Sequence, residues 1–139
     1  MNSPYWLNKI VEDIYHNQDN EFYIGLSSDV TISGANIAIS EPSSDTGYER
    51  IQITDFTHAV NATISNTNDI VFPESVGPWW AGQKKAAYWV LFDGPGSSAH
   101  ILSFGRLDTP HYVERNTVLM IPSGLLAVTL MDYDPNLEV

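Results

Sequence analysis

"AAYWVLFD", residues 86–93, is the stretch on which the fold turns. In an extended chain Ala86, Tyr88, Val90 and Phe92 point to one face, and Ala87, Trp89 and Leu91 to the other. Both faces are apolar, as a strand in the middle of a sheet and covered on both sides requires. The segments around it keep the same period of two. "EFYIGLSS", residues 21–28, places Phe22, Ile24 and Leu26 on one face. "YERIQIT", residues 48–54, places Ile51 and Ile53 on one face, and Tyr48, Arg50 and Gln52 on the other. "NDIVFP" (68–73) reads as a short strand stopped by Pro73, and "HILSFGRL" (100–107), "TVLMIP" (117–122) and "LLAVTLMDY" (125–133) follow. "PSG", residues 122–124, is expected to join the last two as a tight hairpin, with Gly124 in a left-handed conformation.

These segments make about seven short strands separated by Gly, Pro, Asn, Ser and Asp clusters, the spacing of an antiparallel β-sandwich. One helix precedes them. Ser3 is an N-cap and Pro4 occupies the first helical position, where its missing N–H costs nothing. Leu7, Ile10, Val11 and Ile14 then recur at helical spacing with Trp6 beside them, and the polar "NQDN" ends the helix near Asn17. Residues 1–18 are thus a helix and connector, and residues 19–139 a single mainly β sandwich domain, with "DPNLEV" (134–139) as a frayed tail. No helical pattern alternates with the strands, so a parallel α/β sheet is not expected.

Composition narrows the function. The chain of 139 residues is 43% hydrophobic, enough to bury a core. Its formal charge of −11 repels phosphate backbones and anionic bilayers, so neither nucleic-acid binding nor membrane insertion is expected. No apolar run reaches the roughly 20 residues of a membrane span. Without cysteine there are no disulfides, thiolate metal sites or Cys nucleophiles. His16, His58, His100 and His111 do not pair at helical zinc-site spacing, and "EPSSDTGYE" (41–49) lacks the alternate-position oxygen ligands of a calcium loop. Its acids Glu41, Asp45 and Glu49 are read as solvated. No catalytic residue, cofactor or metal is assigned. "GPWWAG", residues 77–82, has two readings. Either one of Trp79 and Trp80 enters the core while the other serves as a stacking or partner surface, or the segment folds over the sheet with both rings as its lid.

Taken in order, "YIGLSS", "EPSSDTGYERIQIT", "NDIVFPESVGPWW", "YWVLFD", "ILSFGRLDTP" and "VLMIPSGLLAVTL" resemble a family of small β-rich proteins of tailed bacteriophages, described as tail-fibre-like or minor structural virion proteins. The family has Tyr-x-Gly-Leu-Ser in the first segment and a Glu-Pro-Ser, Gly-Tyr, Arg-Val pattern in the second. The Trp pair replaces a commoner single Trp, and Asn116 stands where a turn glycine or aspartate is usual. The resemblance implies a non-enzymatic virion component of tail-fibre or adaptor type. Its expected partners are other copies of itself, as a trimer, and other virion proteins. Capsid decoration and receptor or glycan binding are the alternatives. The expected partner-contact residues are Trp6, Leu7, Ile10, Val11, Ile14, Trp79 and Trp80.

Overall fold

Alternation and local turn chemistry are realised as a mainly β, antiparallel fold with one N-terminal helix, in a computed structural model that describes residues 1–131. The expected tail at 134–139 lies outside the described residues. Helix α1 runs Pro4–Tyr15, and the Ser3 hydroxyl accepts the Trp6 amide N–H at 3.2 Å as its N-cap. Strands β1 (Phe22–Ser27), β4 (Ile51–Ile53), β7 (Ala86–Phe92) and β8 (Ile101–His111) form one sheet in the order β4-β1-β7-β8. Three two-stranded ribbons accompany it: β2 (Val30–Ser33) with β3 (Asn36–Ile39), β5 (Thr63–Ser65) with β10 (Ala127–Thr129), and β6 (Ile70–Val71) with β9 (Met120–Ile121). Ten strands are present among the described residues where the alternation gave about seven. The three additions are the β2–β3 hairpin and β5, each only three or four residues long.

β7 is interior, as its two apolar faces require, pairing with β1 on one side and β8 on the other. Trp89, Val90, Leu91 and Phe92 are all buried, but only Trp89 and Leu91 join the main core cluster. Ala86 joins that cluster too, and the register shift between Ala86 and Tyr88 is taken up on β8, where their partners are His111 and Arg106. Trp89 faces Gly105 on β8, and a Cβ there would meet the indole at 2.5 Å, so the ring occupies the space a side chain would fill.

The 122–124 turn differs from expectation. Leu125 N–H does reach Pro122 O, and Gly124 is left-handed at φ 83°. Yet β9 and β10 do not pair; each pairs with a different ribbon partner. The cause is Asn66, which is fully buried. Its side chain donates to Asn68 O and Pro122 O and accepts the Leu126 N–H, while its backbone O accepts the Gly124 N–H. The turn is clamped to β5 and the two strands separate.

Helix α1 docks on its own chain. Val11 is 2% exposed inside the core, Leu7 and Tyr15 pack against it, and Ile10 is half-buried. Tyr15 stacks on Phe22 at 4.8 Å and meets Phe56 edge-on at 5.3 Å. Two polar side chains of the helix also hold the 57–62 segment: Asn8 accepts the Ala62 N–H and Glu12 accepts the Ala59 N–H. Ala62 needs that support, because it sits at φ 57° in the tight turn between Val60 and Thr63. A helix of 12 residues is marginal alone and is held here by one buried side. Deleting residues 1–18 therefore uncovers Phe22 and Phe56. The truncated chain should melt roughly 10 °C or more below the full chain, read by circular dichroism. An unchanged midpoint would mean that the helix is not part of the core.

Candidate functional site

The 41–50 loop is a polar lock and not a set of solvated acids, which corrects the reading of Glu41. A Ser44–Thr46 3-10 turn ends at Gly47 with φ 87°, and this bend sends Tyr48 inward. Pairing of β4 begins only at Ile51, so strand alternation does not extend back to Tyr48. Its ring enters the core against Phe72 and Trp79. Its hydroxyl accepts the Leu26 N–H at 3.1 Å, where β1 has run past the end of β4, and donates to Glu41 Oε2 at 2.6 Å. Arg50 grips both oxygens of Glu41, Nη2 to Oε1 at 2.7 Å and Nε to Oε2 at 3.0 Å. The guanidinium also donates to Gly94 O and Gly96 O, and lies 3.5 Å from the centre of the Phe92 ring. The guanidinium thus stacks on Phe92 and not on Tyr48, which shared its face in the strand reading. Burial, with the Glu41 charge beside it, pushes the Tyr48 phenol well above its ordinary range and keeps it a donor. Burial alone would lower Arg50, but the Glu41 carboxylate outweighs it and the net shift is upward.

Trp79 and Trp80 are 2% and 7% exposed. They pack edge to face on each other, Trp79 meets Tyr48 and Phe72, and Trp80 Nε1 donates to Ser40 O at 2.8 Å. The lid reading of "GPWWAG" is the one realised, and neither ring offers a free face for stacking on a sugar or a partner.

The other expected contact residues divide by burial. Val11 belongs to the core, and Leu7 and Ile10 are half-buried. Trp6 and Ile14 stay outside, 48% and 44% exposed. Trp6, Ile10 and Ile14 follow one another at four-residue spacing along one side of α1. That strip runs into an apolar groove of about 270 Å³ between α1, β8 and β10, where Ile14, Leu102 and Leu130 form an exposed rim over Val11, Phe22 and Val128. A second hollow, of about 350 Å³, lies between β8 and the β9–β10 turn, with Trp89 and Leu107 as its floor and exposed Met120 and Leu125 at its rim.

Sequence spacing assigned no metal ligands, yet the fold gathers one group of three donors among the described residues: Glu12, His16 and His58. His58 Nδ1 is 2.6 Å from Glu12 Oε1, and the two imidazoles stack at 5.0 Å. The Ala59 N–H first, and His58 second, hold the Glu12 carboxyl below its ordinary range, and the bond to Glu12 raises His58. Glu12 and His16 stand four apart on the helix, which the sequence does show. His58 enters from a distant segment and carries no local signal. His100 pairs separately with Asp93 at 2.8 Å.

Residues 3–129 match the family model described as podophage GP4 fiber I protein gp80. No curated protein matches the chain.

The lock is the part of this region whose loss has the clearest cost. Glu41→Ala leaves Arg50, whose side chain is 11% exposed, without its anion. The expected loss is about 2–4 kcal/mol in urea unfolding, less than for a fully buried pair because Glu41 keeps some solvent contact. Tyr48→Phe should cost about 1–3 kcal/mol, since the Leu26 amide loses its acceptor.

Proposed function

Because the chain belongs to the podophage GP4 fiber I protein gp80 family, bacteriophage structural proteins of the virion fibre, we propose that it is a non-enzymatic tail-fibre or adaptor subunit that works as a homotrimer. A fibre is built by repetition of one subunit, and closed symmetric assembly is the usual outcome for repeated chains. The observation that carries the reading is the apolar strip of Trp6 and Ile14, continuous with the Leu102 and Leu130 rim of the α1–β8–β10 groove. Side chains of this size left at half exposure and contiguous with an apolar groove mark a contact face. The tail is favoured over the capsid surface because the family is one of fibre proteins. Trp6 as the aromatic anchor fits the usual make-up of protein interfaces.

Helix α1 then has two sides with different tasks. Val11, Leu7 and Tyr15 hold it to its own chain, and Trp6 and Ile14 meet the neighbour. The paired substitution Trp6→Ala with Ile14→Ser removes the outer side only. It should leave the circular dichroism spectrum unchanged and weaken self-association by about 100-fold, the equivalent of roughly 2–3 kcal/mol lost at two anchors. Sedimentation equilibrium reads the change. A wild-type chain that stays monomeric at assembly concentrations, or a doubly substituted chain that still trimerises, would sink the proposal.

A further inference from the structure

We propose that Glu12, His16 and His58 form a binding site for a borderline transition-metal dication such as Zn²⁺, a metal latch that fastens α1 to the segment behind β4. The side-chain ligand atoms all lie within 4.8 Å of one another. His16 Nε2 is 3.9 Å from Glu12 Oε1, His58 Nδ1 is 2.6 Å from the same oxygen, and His16 Nε2 is 2.9 Å from the Thr57 carbonyl. Bonds of about 2.0–2.1 Å around a tetrahedral ion place neighbouring ligands roughly 3.3 Å apart. The observed spacings straddle that value. A dication between the three side chains takes the place of the proton shared by Glu12 and His58, and His16 shifts its ring proton from Nε2, where it now faces the Thr57 carbonyl, to Nδ1 so that Nε2 can bind. The Thr57 carbonyl or a water supplies a fourth ligand.

Three features favour a built site over a chance meeting of polar side chains. Glu12 and His16 project from one face of a helix at four-residue spacing, so their separation is set by backbone geometry. Glu12 is fixed from behind by the Ala59 N–H to its Oε2 at 2.5 Å, which leaves Oε1 facing the imidazoles. Each ring presents one nitrogen to the same carboxylate oxygen, His58 Nδ1 at 2.6 Å and His16 Nε2 at 3.9 Å, and since the rings now stack 20° apart, one must turn for both in-plane lone pairs to meet at the ion. Two imidazoles with one carboxylate suit Zn²⁺, Ni²⁺, Cu²⁺ or Co²⁺ and not the all-oxygen preference of Ca²⁺ or Mg²⁺. Both histidines are exposed, so the ion enters directly from solvent. The latch joins two elements already in contact, so it adds to a fold that forms without it.

The test is calorimetric titration of Zn²⁺ into the metal-stripped full chain, with Mg²⁺ as comparison. The expected result is one equivalent of Zn²⁺ per chain, no heat from Mg²⁺, and an affinity at least tenfold lower in both His16→Ala and His58→Ala. His100→Ala, which removes the isolated partner of Asp93, should bind as the wild type does. Saturating Zn²⁺ should raise the wild-type melting point by about 5 °C and leave the doubly substituted chain unchanged. Imidazole NMR of the wild type gives a measurement independent of any variant: the His16 and His58 ring signals should shift together at one equivalent. Zn²⁺ binding unaffected by either substitution, ring shifts spread over all four histidines, or no saturable binding would each overturn the site.

Discussion

One carboxylate organises the middle of this structure. Glu41 accepts three hydrogen bonds, one from Tyr48 and two from Arg50, and through them it ties four pieces of chain together. Tyr48 takes the β1 amide that β4 is too short to reach. Arg50 reaches across to the carbonyls of the loop after β7 and covers the outer face of Phe92. The space for this is made by Gly25: a Cβ there would lie 2.5 Å from the Tyr48 hydroxyl and 3.0 Å from Glu41 Oε2. The glycine of "YIGLSS" and the Glu, Tyr and Arg of "EPSSDTGYER" are therefore one constraint, although more than ten residues separate the two stretches. A partly buried ion pair adds little net stability over an apolar replacement, but removal of either half leaves a charge behind. The lock thus specifies which arrangement of β1, β4 and β7 is allowed more than it strengthens that arrangement.

The same logic recurs at smaller scale in the loops. The strands outside the main sheet are two to four residues long, too short to hold themselves. Buried polar side chains hold them. Ser27 accepts the Ser40 N–H and so closes the base of the β2–β3 hairpin. Asn66 fixes the turn before β10. Ser75 binds the Glu114 and Thr117 carbonyls and accepts the Thr117 N–H, pinning the connection before β9. Each is fully satisfied, as burial of such groups demands. The Trp79–Trp80 lid then covers Tyr48 and Phe72, so the polar lock sits beneath an aromatic roof.

What was legible in the sequence follows from range. Alternation is a local property, and it located β1, β7 and the helix with their core-facing residues, Phe22, Ile24, Leu26 and Val11 among them. Capping is also local, and Ser3 and Pro4 placed the helix start. The left-handed residues Asn116 and Gly124 were readable from residue type, whereas Ala62 and Gln83 were not. Pairing partners were not readable. Nothing near "PSG" says that Asn66, more than fifty positions earlier, will pull β10 away from β9. The exposed acids of a chain with 17 carboxylates look alike, so Glu41 could not be told from Asp45 or Glu49 without the fold. Tyr15 lies beside a stripe of aliphatic residues and carries no periodic signal of its own, yet its ring packs on Phe22 and Phe56.

Charge bears on where copies of this chain would meet in the proposed trimer. At −11 each, two copies repel wherever their acidic surfaces approach, and the repulsion is strongest within a Debye length of contact. Few cations are left to offset it. Of its six cations Arg50 is consumed by the lock and Lys9 is paired with Asp13 on the helix, which leaves Lys84, Lys85, Arg106 and Arg115. Stable self-association then requires a face where apolar area is buried and carboxylates are sparse. The rim of Ile14, Leu102 and Leu130 over the α1–β8–β10 groove is apolar, whereas the neighbouring groove toward Gln18, Asn20 and Glu21 is lined mostly by polar groups. The helix that closes the core on one side therefore carries exposed apolar side chains, Trp6 and Ile14, on its other side, although Ile14 and Leu102 also border a hollow lined by Asp19, Glu21 and Asp93. In the proposed trimer, a single short amphipathic element couples folding of the subunit to its assembly, since the strip is in place only after Val11 has docked.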